Sequence, residues 1–271
     1  MLELPEVLSR AGELRGNIVG KTIERVLPPS KPHKFCWYNG DPAAYHQNMA
    51  GKRVTGAEGF GIYVELSLEG GSGLLLNDGV NMRLVPVEKA PKNYQLLVEF
   101  TDRTALVFTV AMYGGIFLHE GSYENEYYLK SRQAPVPFEP EFGAYFHEKR
   151  TESKPTLSVK AFLATEQRFP GIGNGVLQDI LFEAGINPRR KLETLTDQEW
   201  EKLFSSVVSV LRAMTDAGGR DTEKNLFGEP GEYRTIMSRN TLAAGCPACG
   251  GAIIKETYLG GSVYYCSVCQ P

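Results

Sequence analysis

Hydrophobic and polar positions follow two different periods along the chain. Over residues 1 to about 130, short runs alternate apolar and polar residues or are rich in β-branched and aromatic ones, and turn-forming stretches such as EGGSG and TDR separate them. This pattern predicts a mostly antiparallel sheet. VLSRAGELRG differs, because its spacing is helical, Pro5 suits a first turn and Gly16 suits a C-terminal cap. An opening helix is therefore predicted ahead of the strands.

Residues 131–156 fit neither period. Four prolines and scattered charges interrupt this stretch, SRQAPVPFEPEFGAYFHEKRTESKPT, as in a linker or an extended crossing segment. We therefore assign residues 1–133 to a first, β-rich domain and residues 134–153 to a linker.

Helical spacing governs the next part of the chain, in VKAFLATEQ, NGVLQDILFEAG and DQEWEKLFSSVVSVLRAMTDAGG. In the last segment, Thr196 and Glu199 have capping-box spacing, and Gly218-Gly219 marks a stop. Its apolar stripe indicates a helix face packed in a core: Trp200, Leu203, Phe204, Val207, Leu211 and Met214. A helical domain is predicted over residues 154–240, which makes the chain an α+β protein.

Composition and charge narrow the classes of function. The 271 residues are 42% hydrophobic, with 29 Lys+Arg against 32 Asp+Glu, as in a soluble globular protein. No apolar run approaches the roughly 18 residues that span a bilayer, and no signal-peptide pattern opens the chain, so we expect a cytoplasmic protein without a membrane partner. A net charge of -3 argues against nucleic-acid binding by bulk positive charge. Such binding would need basic side chains sorted onto one face, and the candidates are Lys154, Lys160, Arg168, Arg189, Arg190, Lys191, Arg220, Lys224, Arg234 and Arg239.

Four of the five cysteines crowd into the last 26 residues with C-x2-C-x16-C-x2-C spacing: Cys246, Cys249, Cys266 and Cys269. This is the spacing of a zinc ribbon, in which two knuckles present four thiolates to one Zn²⁺. The strand-like runs AIIKETY and SVYYC between the pairs predict a β-hairpin over residues 241–271. The zinc would be structural, because four Cys ligands leave no position for water. A pair of disulfides is the alternative, and Cys36 is expected to be a free thiol.

The segment RFPGIGNGVLQDILFEAGINP places a tight Gly-rich turn directly before an amphipathic helix. Backbone N–H groups at such a helix start form an anion site, and Asn174 can add a side-chain donor. A phosphate could therefore bind at Gly173 and Asn174. A purely structural turn is the alternative.

Taken in order, these features resemble the Fpg/Nei family of DNA glycosylases, and the resemblance covers nearly the whole chain. It includes the N-terminal LPE, the β-rich first half, the Gly-Ile-Gly-Asn turn and the four-Cys hairpin that ends in Cys-Gln. It is strongest in KAFLATEQRFPGIGNGVLQDILFEAGINP and CPACGGAIIKETYLGGSVYYCSVCQ, which are similar to that family's helix-two-turn-helix and zinc finger. The resemblance implies a β-sandwich and a helical domain flanking a DNA groove. It also implies a monomer that binds double-stranded DNA containing a damaged base or an abasic site.

The resemblance assigns DNA contacts to two groups of residues. Phosphate would be held by Lys160, Gly173 and Asn174. The gap left by a flipped-out base would be filled by Val80, Met112 and Tyr113, where the family has Met, Arg and Phe. Because no arginine is inserted, the preferred opposite base should differ.

The N-terminus departs from the family pattern, which begins Met-Pro-Glu-Leu-Pro-Glu and uses the amine of that proline to attack C1′ of the sugar. Here Leu2 stands at the nucleophile position, while Glu3 and Glu6 match the two family glutamates. If Met1 is retained, the free amine belongs to Met1 and is displaced by about 3 Å. A second route has Glu3 activate a water without any amine. Glu3 and Glu6 could instead only favour the dipole of the opening helix.

Two more positions depart from the family. Ile62 replaces the lysine of Arg-Gly-Lys-Tyr, and Gly261 replaces the arginine of the finger, which should weaken strand cleavage. We therefore predict a base-excision-repair glycosylase with weak or altered abasic-site lyase activity. One alternative is a lesion- or abasic-site-binding protein that has lost catalysis, and another is a zinc-ribbon nucleic-acid module without lesion preference.

Overall fold

The first half of the chain forms one seven-stranded sheet behind an opening helix. The computed structural model describes residues 1–271. The elements of this half are α1 (Leu4–Asn17), β1 (Ile23–Leu27), β2 (Cys36–Tyr38), α2 (Tyr45–Met49), β3 (Val54–Phe60), β4 (Tyr63–Leu68), β5 (Ser72–Pro86), β6 (Leu96–Phe100) and β7 (Thr104–Glu120). The strand order is β1-β6-β7-β5-β4-β3, all antiparallel, and β2 pairs with β7 in parallel. The mostly antiparallel sheet predicted from the alternating pattern is confirmed.

Strands β5 and β7 are the longest, with 15 and 17 residues, and they pair from Ser72↔Glu120 to Pro86↔Thr104. Their register shifts between Asp78 and Val80, where Asp78 adopts a φ of 52°. Such a bulge bends the strand and re-aims the groups beside it. The chain start is fastened here, because the Leu2 N–H donates to the Asp78 carbonyl at 2.6 Å.

Helix α1 lies between two hydrophobic cores. Leu2, Val7 and Leu14 belong to the 27-residue core of the sheet, whereas Leu4 belongs to a separate 21-residue core. The helix runs one residue past the predicted cap at Gly16, to Asn17. The physical reason is Ile18, which is fully buried and closes the last turn with a hydrogen bond to the Leu14 carbonyl.

The second half of the chain is helical and ends in a hairpin. Its elements are α3 (Glu126–Gln133), α4 (Phe142–Glu152), α5 (Val159–Ala164), α6 (Asn174–Ala184), α7 (Asp197–Asp216), β8 (Ile254–Tyr258) and β9 (Gly261–Tyr265). The three helices predicted after residue 156 and the hairpin are confirmed, as is the Thr196–Glu199 capping box of α7. None of the helices combines the length and the apolar character that a membrane crossing requires.

Helix α4 occupies most of the predicted linker, so residues 134–153 are not an extended segment. Phe142 and Phe146, one helical turn apart, are buried in the second core, and Tyr145 packs against it. Three aromatic residues at helical spacing are enough to hold a short helix against a core. This apolar face is difficult to recognise in the sequence because charged residues lie close to the aromatic ones. The three prolines that interrupt the helical pattern lie before the helix begins.

Candidate functional site

The Glu3 carboxylate lies on the N-terminus of α6. Its two oxygens accept the backbone N–H groups of Gly175 at 2.8 Å and Val176 at 2.6 Å. These are orphan donors of the first helical turn, where a negative charge is favourable. A Cβ added at Gly173 would lie 2.5 Å from Glu3 Oε1, so the glycine of the turn permits this close approach. A carboxylate of the protein itself thus accepts these N–H groups, and phosphate binding at Gly173 and Asn174 stays a prediction.

Arg220 pairs with both glutamates in the interior. Its Nε and Nη2 donate to Glu6 at 2.9 and 2.7 Å, its backbone N–H donates to Glu6 Oε1 at 3.0 Å, and its Nη1 lies 3.2 Å from Glu3 Oε2. All three side chains are at most 5% exposed. Arg220 is therefore not part of a basic surface, which corrects its place among the candidate DNA-facing cations.

The two carboxylates respond differently to this arginine. Burial raises the pKa of Glu3, and the attraction of Arg220 offsets this only in part. Burial also opposes the charge of Glu6, but the guanidinium and backbone N–H of Arg220 outweigh it and hold the pKa of Glu6 below its usual value. The difference follows from geometry, since the bidentate contact goes to Glu6.

The α-amine of Met1 lies at the surface, against a carboxylate from a distant segment. It contacts Glu223 Oε2 at 2.5 Å, and Met1 is 40% exposed. The Leu2 nitrogen is an amide bonded to Asp78, and the Leu2 side chain is buried in the sheet core. With Met1 in place, the nitrogen of Leu2 is an amide and cannot act as a nucleophile. The only α-amine is that of Met1, and it contacts Glu223.

Four exposed apolar side chains, Phe35, Trp37, Met112 and Tyr113, form what we call the aromatic patch. They are 48, 49, 65 and 36% exposed, and the rings of Trp37 and Tyr113 lie 6.4 Å apart. The Tyr113 hydroxyl lies 3.9 Å from the Met1 sulfur, so the patch adjoins the amine. Val80 is buried in the sheet core, with its side chain near Gly114, and does not reach this surface.

The sequence analysis did not identify Phe35 and Trp37 as members of a contact surface. Cys36 between them is buried, so the two exposed rings have the period-2 spacing of a strand with one open face. That alternation in KFCWY was the available signal. Large contiguous apolar patches mark contact surfaces, so these side chains are candidates for a contact with a partner.

The hairpin β8–β9 is docked on α6. The Lys160 ammonium is buried and donates to the Tyr258 carbonyl, and burial lowers the pKa of Lys160. Gln178 donates to the Ser262 carbonyl at 3.0 Å and accepts the Tyr264 N–H at 3.1 Å. A phosphate contact by Lys160 stays a prediction, and it would require exchange of the bond to the hairpin.

Gly261, at the start of β9, lies against the turn that precedes α6. A Cβ added there would collide with the side-chain amide of Asn174. Asn174 itself is exposed. The hairpin and the Gly-Ile-Gly-Asn turn thus form one continuous surface, with no cationic side chain at position 261.

The four clustered cysteines are free thiols whose sulfur atoms all lie within 4.8 Å of one another. Cys246 and Cys269 are 3.7 Å apart at sulfur, and Cys249 and Cys266 are 3.5 Å apart. Four thiolates at the usual Zn–S distance stand about 3.8 Å from each other, so the donor set fits one tetrahedral metal. The alternative of two disulfides is not present.

The Cys-Gln end of the chain has a structural role. Gln270 is fully buried, accepts the Cys266 N–H at 3.0 Å and donates to the Ile186 carbonyl at 3.0 Å. It joins the cysteine cluster to the chain directly after α6. Cys36 lies elsewhere, in the sheet core.

The whole chain is similar to proteins of one family. The family model described as "Formamidopyrimidine-DNA glycosylase N-terminal domain" matches residues 1–152, and that described as "Formamidopyrimidine-DNA glycosylase H2TH domain" matches residues 134–225. A formamidopyrimidine-DNA glycosylase of Halorhodospira halophila is 30% identical, with all of both chains covered. One of Thermus thermophilus is 28% identical, with 100% of this chain and 98% of that protein covered.

Solved structures share the fold over the same length. The Lactococcus lactis Fpg in complex with abasic-site DNA has a TM-score of 0.82 at 23% identity, with 99% of each chain covered. MutM (Fpg) from Thermus thermophilus has a TM-score of 0.79 at 23% identity, with 99% of this chain and 98% of that chain covered. Together with the family models and the full-length relatives, this agreement shows that the chain belongs to the Fpg/Nei family of DNA glycosylases.

Proposed function

We propose that this protein is a base-excision-repair DNA glycosylase that binds double-stranded DNA at a damaged base or abasic site and excises the base. The observation that carries the proposal is the position of the Met1 amine, exposed beside the aromatic patch. An amine can attack C1′ of a sugar, and aromatic side chains can fill the space of a flipped-out base. The full-length relatives named as formamidopyrimidine-DNA glycosylases support the same function.

Binding would use the surface at the start of α6. Asn174 is exposed and lies beside the partly exposed Gly261, where a phosphate would bind, and Met112 and Tyr113 would enter the duplex where the base leaves it. Trp37 and Phe35 widen this apolar surface. The charge of the chain gives little general attraction for DNA, so discrimination should rest on the extruded nucleotide.

The proposed lyase activity, which cleaves the DNA strand at the abasic site, is weak. Ile62 is buried among aromatic side chains and Gly261 has no side chain, so neither supplies the cation that would assist phosphate elimination. We therefore propose base excision with slow strand cleavage. We also propose that the four cysteines hold one structural Zn²⁺, which supplies folding energy to the finger and no reaction chemistry. The monomeric state and the cytoplasmic location stay predictions.

A catalytically inactive lesion-binding protein is the second candidate, and one observation favours it. Both oxygens of Glu3 are occupied by backbone N–H groups and a third donor, Arg220, lies beside them. A carboxylate held in this way is poorly placed to activate a water or shuttle a proton.

Borohydride trapping separates the two candidates. With an abasic-site duplex we expect a covalent adduct, because hydride reduces the Schiff base between the amine and the sugar. The intact mass of the protein and the peptide mass of the adduct should place the link on Met1. A panel of duplexes with oxidised purines and pyrimidines tests base release in parallel. Tight binding with neither adduct nor base release would leave only the inactive candidate.

Trp37 offers a direct probe of the interface. Replacing it with alanine should weaken binding to a duplex containing an abasic-site analogue by about 5- to 150-fold, the range of one stacked base at about 1–3 kcal/mol. Trp37→Phe keeps a ring and should bind within a few-fold of the parent. DNA that covers Trp37 should change its fluorescence emission. The change can be assigned to Trp37 because the only other tryptophan, Trp200, is buried. An affinity of the alanine variant equal to that of the parent would remove Trp37 from the interface.

A further inference from the structure

We propose that Glu223 is the catalytic carboxylate that accepts the proton of the Met1 amine. This inference rests on the proposed glycosylase function and adds a residue to it. The Met1 nitrogen and Glu223 Oε2 are 2.5 Å apart, within direct proton-transfer distance. The side chains of Met1 and Glu223 are 40% and 24% exposed, so the pair is open to a sugar approaching from the surface.

The other carboxylates near the amine are engaged elsewhere. Glu3 is bound by α6, and Glu6 is bound by three donors of Arg220. Asp78 is charge-coupled to the amine, but burial raises its pKa and its contact with the chain start is made by its backbone carbonyl. Glu223 is therefore the carboxylate whose side chain hydrogen-bonds the amine.

The segment after α7 holds Glu223 firmly in place. The Glu223 N–H donates to the Arg220 carbonyl at 3.0 Å, and the Glu223 carbonyl accepts the Gly231 N–H at 3.1 Å. Leu226 anchors the same segment, because it is fully buried in the sheet core and its carbonyl accepts the Leu84 N–H at 2.9 Å. The backbone of Glu223 is therefore fixed on both sides, and its carboxylate is held by the contact with the Met1 amine. A group positioned in this way needs little reorganisation before it accepts a proton.

The surroundings of the pair carry both signs of charge. The small cavity beside the amine is lined by Glu6, Arg10 and Lys224 as well as by Glu223, and Arg220 lies close to the Met1 carbonyl. The side chains of Arg10, Lys224 and Arg220 offset part of the negative charge of Glu6 and Glu223. The site is therefore not uniformly acidic towards the DNA backbone.

Imine formation with an abasic site returns Glu223 to its starting state. Met1 ammonium transfers one proton to Glu223, and the freed nitrogen lone pair forms a bond to the aldehyde carbon C1′. The carbonyl oxygen becomes a hydroxyl by taking up a second proton from the nitrogen. It then receives the proton from Glu223 and leaves as water when the C=N bond forms. The product is a protonated imine, and Glu223 is again a carboxylate.

Three variants test this role, with trapping and binding measured separately. Glu223→Gln should lower the rate of borohydride trapping on an abasic-site duplex by about 100-fold or more, the usual contribution of a positioned base. Its affinity for a tetrahydrofuran-site duplex, which has no aldehyde, should stay equal or rise because a negative charge is removed. Glu223→Asp should recover part of the rate. Glu232→Gln is the matched control, since Glu232 is exposed on the same segment and its side chain makes no hydrogen bond.

The outcomes are distinct. Trapping by Glu223→Gln at or above the parent rate overturns the inference, and a faster rate would show that Glu223 restrains the amine as an ammonium ion. In that case the parent still traps DNA and the proposed function stands. Absence of trapping and base release in the parent protein overturns the proposed function, and the role of Glu223 falls with it. The melting temperature of each variant shows whether a lower trapping rate results from loss of folding.

Discussion

Removal of the metal from the four-cysteine cluster should unfold the finger and abolish DNA binding while the sheet stays folded. The hydrophobic cluster around the cysteines has only four buried residues, Met237, Cys246, Ile253 and Cys266, and two of them are proposed ligands. So small a core cannot replace zinc, which contributes about 10–16 kcal/mol in small zinc-finger peptides. Without it, the hairpin would leave α6, and the surface shared by Asn174 and Gly261 would be lost.

The measurement combines metal content with binding. One equivalent of zinc is expected in the purified protein, and a strong chelator or Cys249→Ser should remove it, expose residues 241–271 to protease and eliminate binding to an abasic-site analogue. Cys36→Ala is the matched control, because this thiol lies in the sheet core away from the cluster and its loss should leave the zinc in place. Unchanged DNA affinity in the metal-free protein would contradict the prediction.

Arg220→Met should lower the free energy of unfolding by about 3–5 kcal/mol at neutral pH. The variant keeps the volume but leaves Glu3 and Glu6 without their shared cation in an interior that is almost closed to water. An uncompensated buried charge costs about this much. Urea denaturation followed by circular dichroism measures the loss, and Arg234→Met, an 85% exposed arginine on the same segment, should change it by less than about 0.5 kcal/mol.

The loss of unfolding free energy caused by Arg220→Met should be smaller at acidic pH. Because Arg220 lowers the pKa of Glu6 in the folded parent, Glu6 stabilises the parent above the ordinary carboxylate range, and this contribution disappears as the pH falls through the folded pKa. In the variant both carboxylates protonate more readily, and a neutral buried carboxyl no longer needs the cation. The two unfolding curves should therefore approach each other below about pH 4. A difference that stays constant with pH would show that Arg220 acts through packing alone.

Local patterns in the sequence were enough to predict most of the elements. Period-2 alternation, helical spacing and the Thr196–Glu199 cap act over a few residues, and the cysteine spacing defines its own cluster. The short helices α2 and α3 were not predicted, and neither was α4, whose short aromatic face lies among charges directly after several prolines. The contacts of the site were not predictable in the same way. Glu3 meets Val176 across 173 positions and Glu6 meets Arg220 across 214, and no local period reports such a pair.

The Gly-Ile-Gly-Asn turn shows why the contacts of the site were not predicted from the sequence. The sequence predicts a phosphate at the start of α6, since the glycines leave the N–H groups open. The turn itself does not distinguish between anions, because a carboxylate 172 positions away and a phosphate on DNA satisfy the same donors. The exposed Asn174 stays the predicted phosphate contact, and Glu3 accepts hydrogen bonds from the N–H groups of Gly175 and Val176.

The buried Arg220 cluster has a consequence for how DNA would be accommodated. It ties together the start of α1, the start of α6 and the segment that follows α7, which come from both halves of the molecule. A protein braced in this way cannot close around a duplex by hinging without breaking buried ion pairs. The deformation then falls on the DNA, and flexible steps or damage that weakens stacking lower its elastic cost. Sites should therefore be chosen partly by how easily the double helix bends.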